Sequence, residues 1–569
     1  MTDYRAEYDR WLENTAEDAE LHEELISMAN DPKRMEDSFY TELAFGTAGL
    51  RGVIGAGTNR MNRFVVRRAS AGLAKYLLMY KSSQEHGVAI AYDSRHFSRE
   101  FAFETAATIA GFGIKCCLYS TLHSVPQLSF AVRELNCIAG VVITASHNPP
   151  EYNGYKVYWS YGGQAGPRQA DAILESIRKI DYFSVKPMDF DTAVAKGLIV
   201  MIGSELDEVY YKKTMSLIIR PDFVREHGGE LSIVYTPLHG SGLVPVTEVL
   251  HRMGITNCHV VPEQEQPDGS FPTVKAPNPE DANAFTLAME LADRVDANLL
   301  LATDPDADRL GIAIPKTEAK DEYILLTGNQ IATLLADYLL VTEKEQGKAK
   351  DKPMLVKSLV TTDLVKKIAE KNGGECRDVL TGFKYIAEQI QMIDDNPGCG
   401  RHFLFGCEES YGFLTVPSVR DKDAVSSAVA AVEMMCHYKE QGITLQDRLD
   451  AIYAEYGYST EVVFARDYEG AEGKAKMASI MANMRSLKKG DVLVSRTIES
   501  LVDLKGENTG FPKADVIIIR FESGEKLVVR PSGTEPKIKY YLFLTEGEGG
   551  RKALEENKGN ILEEFKAAL

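Results

Sequence analysis

The sequence predicts an α/β protein of three related α/β domains with partly parallel sheets, followed by a smaller C-terminal α+β domain. Three observations support this. At 569 residues the chain exceeds what one hydrophobic core serves, so several domains are expected. Strand-like and helix-like patterns alternate from about residue 64 to residue 406, as βαβ crossovers require. The closing stretch instead holds close-set strands at 516–519, 526–529 and 540–543, then a helix, which is an antiparallel pattern.

In order, residues 4–30 read as an acidic amphipathic helix capping the first domain. Helix is expected over 65–80, strand over 88–92, helix over 98–111, strand over 114–119, helix over 125–135 and strand over 138–145. A second block has strands at 231–236, 258–261 and 298–303, with a helix near 280–294. A third has strands at 354–360, 376–379 and 402–406, with helices at 363–371 and 384–393. Linkers are expected near 186–205, 315–322 and 451–462, giving domains at 1–205, 206–320, 321–450 and 451–569. The 467–512 segment combines helix and loop without a clear pattern.

A formal charge of −19 argues against non-specific binding of nucleic acid or anionic membranes, so a polyanionic substrate would need local basic pockets. The N-terminus shows no signal peptide and no apolar run reaches membrane-spanning length. Eight scattered cysteines without a C-x-x-C fit buried thiols rather than structural zinc. A soluble cytoplasmic protein with no obligatory protein partner is expected.

Each α/β block ends with a strand that delivers a polar loop just beyond its carboxyl end, where open α/β sheets bind ligands. In the first, the apolar Val141-Val142-Ile143 stops at Thr144-Ala145-Ser146-His147-Asn148-Pro149, exposing a serine hydroxyl. In the second, Leu299-Leu300-Leu301 leads to Asp304-Pro305-Asp306-Ala307-Asp308-Arg309. Residues i, i+2 and i+4 of an extended segment project together, and three such carboxylates repel unless a cation lies among them. All-oxygen ligands favour Mg²⁺ or Ca²⁺, and an EF-hand is excluded because Arg309 stands where it needs glycine, so Mg²⁺ is expected. The third loop, Gly406-Cys407-Glu408-Glu409-Ser410-Tyr411-Gly412, offers partners for vicinal hydroxyls. Upstream of it Thr381-Gly382-Phe383-Lys384 adds a lysine. Between the C-terminal strands, Arg530-Pro531-Ser532-Gly533-Thr534-Glu535-Pro536-Lys537 has the inventory for a phosphate dianion. The glycine-dense Phe45-Gly46-Thr47-Ala48-Gly49-Leu50-Arg51-Gly52 lets backbone amides approach an anion, whereas Asp93, Arg95 and His96 form a structural loop.

Taken together, these motifs resemble the α-D-phosphohexomutase superfamily, and Asn153-Gly154-Tyr155-Lys156 fits as well. Thr236-Pro237-Leu238-His239-Gly240, the Glu408 loop and the Arg530 loop resemble its phosphoglucomutase/phosphopentomutase branch. The motifs run in the family's order from residue 45 to residue 537. The resemblance implies a heart-shaped arrangement of four domains around a central cleft. It implies a phosphorylated Ser146 and Mg²⁺ held by Ser146, Asp304, Asp306 and Asp308. Glu408 and Ser410 would bind sugar hydroxyls, and Arg530, Ser532, Gly533 and Thr534 the non-reacting phosphate. Arg309, Thr381 and Lys384 are expected at the substrate too.

The implied reaction is an intramolecular phosphoryl transfer between hexose 1- and 6-phosphates, with a sugar 1,6-bisphosphate as intermediate and activator and glucose as the expected sugar. Mannose or pentose phosphates, and release of the bisphosphate by a synthase, are the alternatives. Proton carriers are sought among His147, Lys156, Arg51, His239 and Lys384; Lys156 and Arg51 resemble family residues beside the reacting phosphate, and His147 is expected to support the loop. Tyr411 and Phe383 are candidates for shaping the sugar pocket. A serine hydrolase lacks a G-x-S-x-G here and would leave the aspartates unused, and a non-catalytic sugar-phosphate sensor would need neither Ser146 nor the aspartates.

Overall fold

The computed structural model describes residues 3–46, 49–316, 319–347, 351–468, 470–506, 508–532, 537–547 and 549–569. Its strands form four sheets, three mixed and one antiparallel. The first sheet runs Gly49–Val53, Tyr152–Trp159, Ala139–Ile143, Val88–Tyr92, Cys116–Tyr119, Ile199–Ile202. The second runs Ala319–Leu325, Leu310–Lys316, Leu299–Thr303, Ser232–Thr236, Asn257–Val260. The third runs Glu375–Val379, Lys352–Ser358, Arg401–Glu408, Gly412–Leu414. In each, the strands joined through helices pair in parallel. The central strands Val88–Tyr92, Ala139–Ile143 and Leu299–Thr303 are buried on both faces, as crossover helices require, whereas edge strands such as Ile199–Ile202 are partly exposed.

One device recurs in all three. A buried parallel strand ends in a polar loop, and the chain returns antiparallel beside it: Ala139–Ile143 to Tyr152–Trp159, Leu299–Thr303 to Leu310–Lys316, Arg401–Glu408 to Gly412–Leu414. Each loop bends at one non-glycine residue in the left-handed region, Ser146 (φ 53°), Ala307 (φ 50°) and Tyr411 (φ 63°). Such conformations persist only where surrounding structure holds them. The three units are stitched together at these loops: Val125 N–H donates to Asp306 O (2.9 Å), Leu310 N–H to Tyr411 O (3.0 Å) and Ala424 N–H to Ala307 O (3.2 Å). Tyr158 Oη adds a 2.6 Å hydrogen bond to Asp421 between the first and third units.

The fourth sheet, Ser459–Asp467, Lys537–Thr545, Lys526–Pro531, Ile517–Phe521, Arg496–Asp503 and Val492–Leu493, is antiparallel throughout and is backed by the helix Gly550–Ala568.

The N-terminal reading needs correction. Residues 4–30 form not one helix but Tyr4–Asn14 and Ala19–Met28, with Asp18 capping the second, and Pro32–Phe39 follows. They do cap the first unit, burying Trp11 edge-on against Phe39, Phe64, Tyr182 and Phe183. The expected linkers are also structured. The stretch 186–205 holds the helix Phe190–Ala195 and the strand Ile199–Ile202, which extends the first sheet. Residue 320 falls inside the strand Ala319–Leu325, and residue 450 inside the helix Leu445–Tyr456. These elements are short or polar, so their pattern resembled connecting chain. The unplaced 467–512 stretch contains the helix Gly470–Ser486 and two strands of the fourth sheet.

Candidate active site

Ser146 stands just past the fully buried strand Ala139–Ile143. Its N–H donates to Thr144 Oγ1 (2.8 Å), whose hydroxyl donates to Asp306 Oδ2 across the domain boundary (3.2 Å). The loop backbone is gripped from below by Arg95, whose guanidinium donates to the carbonyls of Ser146, Asn148, Pro149 and Tyr152. Arg95 is held by Asp93 at 3.5 Å and by the face of Phe271. A planar, multi-donor cation is the side chain able to satisfy several carbonyls at once. The Asp93–Arg95 loop, expected to be structural, therefore sets the conformation of the serine loop.

The Ser146 hydroxyl donates to Asp304 Oδ2 at 2.8 Å and lies 3.1 Å from His147 Nδ1. Burial, with the charges of Arg309 and Arg51, pushes the His147 pKa well below the ordinary imidazole value, so its ring is neutral. Arg51 donates to Asn148 Oδ1 (2.9 Å) at the rim of the same loop.

Asp304, Asp306 and Asp308 are all buried (0, 0 and 1% exposed), and one oxygen from each lies within 4.8 Å of the others. Asp304 Oδ1 accepts the N–H groups of Asp308 and Arg309, which turns Oδ2 toward the serine. Burial and then mutual repulsion raise the pKa of Asp304 and Asp308. Asp306, which burial alone would also raise, is held below the usual range by Lys156, 2.9 Å away. Lys422 pairs with Asp308 at 3.0 Å. Even so, Asp306 Oδ1 and Asp308 Oδ1 are buried with no hydrogen-bond donor. Convergent carboxylate oxygens, two of them orphaned, beside a serine oxygen match the donor set a hard divalent cation takes. The residues present fit Mg²⁺.

The third loop behaves differently. Glu408 accepts the Gly382 N–H at 2.6 Å, Glu409 accepts the Ser358 hydroxyl at 3.0 Å, and Ser410 Oγ reaches back to Glu409 at 3.3 Å. Burial and then Glu409 push the Glu408 carboxyl up to about 7. Thr381 Oγ1 is buried with no partner, and Lys384, over the ring of Tyr385, has its pKa lowered by burial. Arg309 pairs with Glu280 at 2.6 Å, and its backbone bridges to Gly412, joining the second and third loops.

Arg530 lies in the strand Lys526–Pro531 opposite Lys539, and Ser532 N–H donates to Lys537 O at 2.8 Å. Gly533 and Thr534, with Thr47 and Ala48 of the glycine-dense stretch, lie outside the described residues.

The structure thus gathers Ser146, His147, Lys156, Arg51, the three aspartates and Arg309 at one place, with Glu408, Ser410 and Thr381 on the neighbouring loops and Lys384 in the first turn of the helix Phe383–Asp394. One of the proton-carrier candidates is engaged elsewhere. His239 sits 2.9 Å from Thr273 Oγ1 and 3.1 Å from Gln266 O, inside the second unit, where it braces a loop rather than facing the serine. Tyr411 turns its hydroxyl to Leu326 O (2.8 Å), and the buried Phe383 has the Lys422 ammonium 5.8 Å from its ring centre. Lys422 was missed. Its signal was the charged run Arg420-Asp421-Lys422-Asp423 set between apolar Val419 and Ala424, where a solvated turn is the ordinary expectation.

A serine facing a buried three-carboxylate group, at the junction of three like α/β units, is an arrangement suited to phosphoryl transfer. Sequence comparison agrees. Residues 42–183, 208–317 and 327–456 match the models for phosphoglucomutase/phosphomannomutase alpha/beta/alpha domains I, II and III. The chain belongs to this family, in the α-D-phosphohexomutase superfamily, and is an enzyme of the phosphomutase class. A phosphoglucomutase of Staphylococcus aureus strain MSSA476 is 36% identical over 547 residues, covering 94% of this chain and 95% of its own. That of strain MRSA252 is 37% identical over 521 residues, covering 89% and 90%. The fold is shared with the open form of parafusin, a phosphoglucomutase from Paramecium (TM-score 0.66, 18% identity, 92% and 96% covered). It is also shared with a phosphoglucomutase/phosphomannomutase family protein of Burkholderia thailandensis (TM-score 0.64, 16% identity, 92% and 97% covered).

Proposed function

We propose that the chain is a phosphoglucomutase, interconverting glucose 1-phosphate and glucose 6-phosphate through a phosphorylated Ser146 and a glucose 1,6-bisphosphate intermediate. The observation that carries this reading is the 2.8 Å contact between Ser146 Oγ and Asp304 within the buried aspartate group. The identity to phosphoglucomutases over nearly the whole chain supports the choice of glucose.

Asp304, Asp306 and Asp308 would hold Mg²⁺ beside Ser146, where the bound ion supplies positive charge against the transferring phosphoryl group. The protein's own residues do the rest. Arg95 fixes the loop so that Oγ stands at one position, and positioning is most of what phosphoryl transfer asks of a protein. Lys156 and Arg51 flank the reacting group. As the bond from phosphorus to Oγ breaks, a sugar hydroxyl oxygen bonds to phosphorus, and its proton passes by way of the neutral His147 imidazole to Oγ. Glu408 and Ser410 bind the sugar hydroxyls, and Arg309, Thr381 and Lys384 line the substrate. Arg530, Ser532, Gly533 and Thr534 grip the phosphate that does not react. The bisphosphate then reverses, presents its other phosphate to Ser146, and leaves as the isomeric monophosphate.

The eight cysteines are free thiols, which suits a reducing compartment such as the cytoplasm. Among the described residues no helix is long and apolar enough to cross a membrane. A panel of glucose, mannose and ribose 1-phosphates tests the assignment. The highest kcat/KM is expected on glucose 1-phosphate, and a higher value on either other sugar, or accumulation of bisphosphate as the product, overturns it.

A further inference from the structure

The C-terminal sheet packs one face on the third α/β unit. Val528, Tyr541 and Phe543 meet Leu359, Val360 and Leu380 there in one apolar cluster. Alternate residues of a strand share a face, so Lys526, Val528 and Arg530 of the strand Lys526–Pro531 all point toward this contact. Arg530 is therefore displayed about 13 Å further along the strand that Lys526 begins.

Lys526 is almost fully buried at the cluster's edge, its ammonium 3.9 Å from the ring centre of Phe543 and 3.0 Å from Asp363 Oδ1. The wholly buried Lys357 reaches the same oxygen at 3.2 Å and Asp378 at 2.7 Å. Arg520, from the adjacent strand Ile517–Phe521, lies 3.5 Å from Asp363 Oδ2. One carboxylate, in the turn before the helix Leu364–Lys371, thus takes two cations from the C-terminal sheet and one from its own unit. Burial alone would raise its pKa, but Lys357 and then Lys526 hold it below the usual carboxylate range, so it is ionised. A buried ammonium stripped of such a partner is costly, which makes the contact a fixed one rather than a loose surface pair.

We infer that Asp363 is a positioning residue for the phosphate clamp: by holding Lys526 it fixes the strand that presents Arg530, and so sets the affinity for the phosphate that does not react. The role of Arg530 rests on the mutase reading, and the test separates the two.

The test uses the full-length chain carrying Asp363→Asn, read by steady-state kinetics on glucose 1-phosphate and by hydrogen–deuterium exchange. KM is expected to rise about tenfold with kcat within about twofold, since the clamp binds the sugar phosphate without touching the reacting atoms. Amides of residues 526–530 should exchange faster while those of 299–303 do not. Asp363→Glu, which keeps the charge, should hold KM within about threefold of the parent. Lys526→Met, which removes the buried cation and keeps an apolar stem on Phe543, should reproduce the KM rise. Unchanged KM in both the Asn and Met variants, a fall in kcat at constant KM, or faster exchange spread evenly over all four sheets would overturn the inference. Absence of turnover in the parent chain would instead overturn the mutase reading. Exchange at 526–530 would then decide the positioning role by itself, faster exchange supporting it and unchanged exchange refuting it.

Discussion

Two carboxylate-bearing loops occupy equivalent places in neighbouring units, and they use their charges in opposite ways. Each follows a buried parallel strand, bends at a left-handed residue and returns antiparallel. In the loop at 304–309 three acids converge on one point, and two of their oxygens have no donor. In the loop at 406–412 the acids diverge, Glu408 to a backbone N–H and Glu409 to the Ser358 hydroxyl. Converging carboxylates ask for a cation, whereas separated ones offer acceptors for hydroxyl groups. Backbone shape sets the difference: the 304–308 segment is not extended as its spacing suggested but turns, Ala307 N–H donating to Asp304 O (2.9 Å) with Ala307 left-handed, and that turn gathers the three acids, while adjacent Glu408 and Glu409 point apart. Lys422, between Asp308 and Asp421 and within electrostatic reach of Glu408, ties the two loops together.

The largest effect is expected at the residue the converging loop serves. Ser146→Ala should lower kcat by roughly four orders of magnitude, because it removes the atom that carries the phosphoryl group, and the parent fold should survive by melting temperature. Next in size is the loss of convergence. Asp306→Asn should cost about a thousandfold in kcat and abolish stabilisation by Mg²⁺. In the parent chain that stabilisation should reach about 2.7 kcal/mol at a hundredfold excess over Kd, and thermal melts with and without chelator will read it. Smaller again is the diverging loop. Glu408→Gln should raise KM about tenfold while leaving the Mg²⁺-dependent melting shift intact, which would separate the two loops by function. Since burial and Glu409 set the Glu408 carboxyl near 7, it is protonated and a poorer acceptor below that pH. The parent KM should therefore fall as pH rises from about 6 to about 8, and the Gln variant should lose that dependence.

Much of the fold was legible because buried parallel strands are continuous apolar runs. Val88–Tyr92, Ala139–Ile143 and Leu299–Thr303 appear within two residues of where the sequence placed them. The candidate loops were legible for the same reason, each being a polar break that ends such a run. The return strands were not. Tyr152–Trp159 mixes Asn, Gly and Lys with its aromatics, since one of its side chains, Lys156, must reach Asp306 instead of the core. Arg95 was read only as part of a structural loop because the carbonyls it grips lie 51 or more residues along the chain, and Lys422 and Asp363 escaped notice because Asp308 lies in another unit from Lys422, and Lys526 and Arg520 in another unit from Asp363. Charge in a loop carries no mark of burial until the fold brings another unit over it. His239 failed in the reverse direction, a polar residue in a suggestive motif that the fold turns to Thr273.

The central claim is tested most directly by following one phosphoryl group. The parent chain is loaded with glucose 1,6-bisphosphate labelled on phosphorus, freed of excess sugar, mapped by mass spectrometry, and then chased with unlabelled glucose 1-phosphate. Label should sit on residue 146 and leave in sugar bisphosphate and glucose 6-phosphate, while Ser146→Ala takes up none. Label on another residue, or its release as inorganic phosphate alone, would contradict the account.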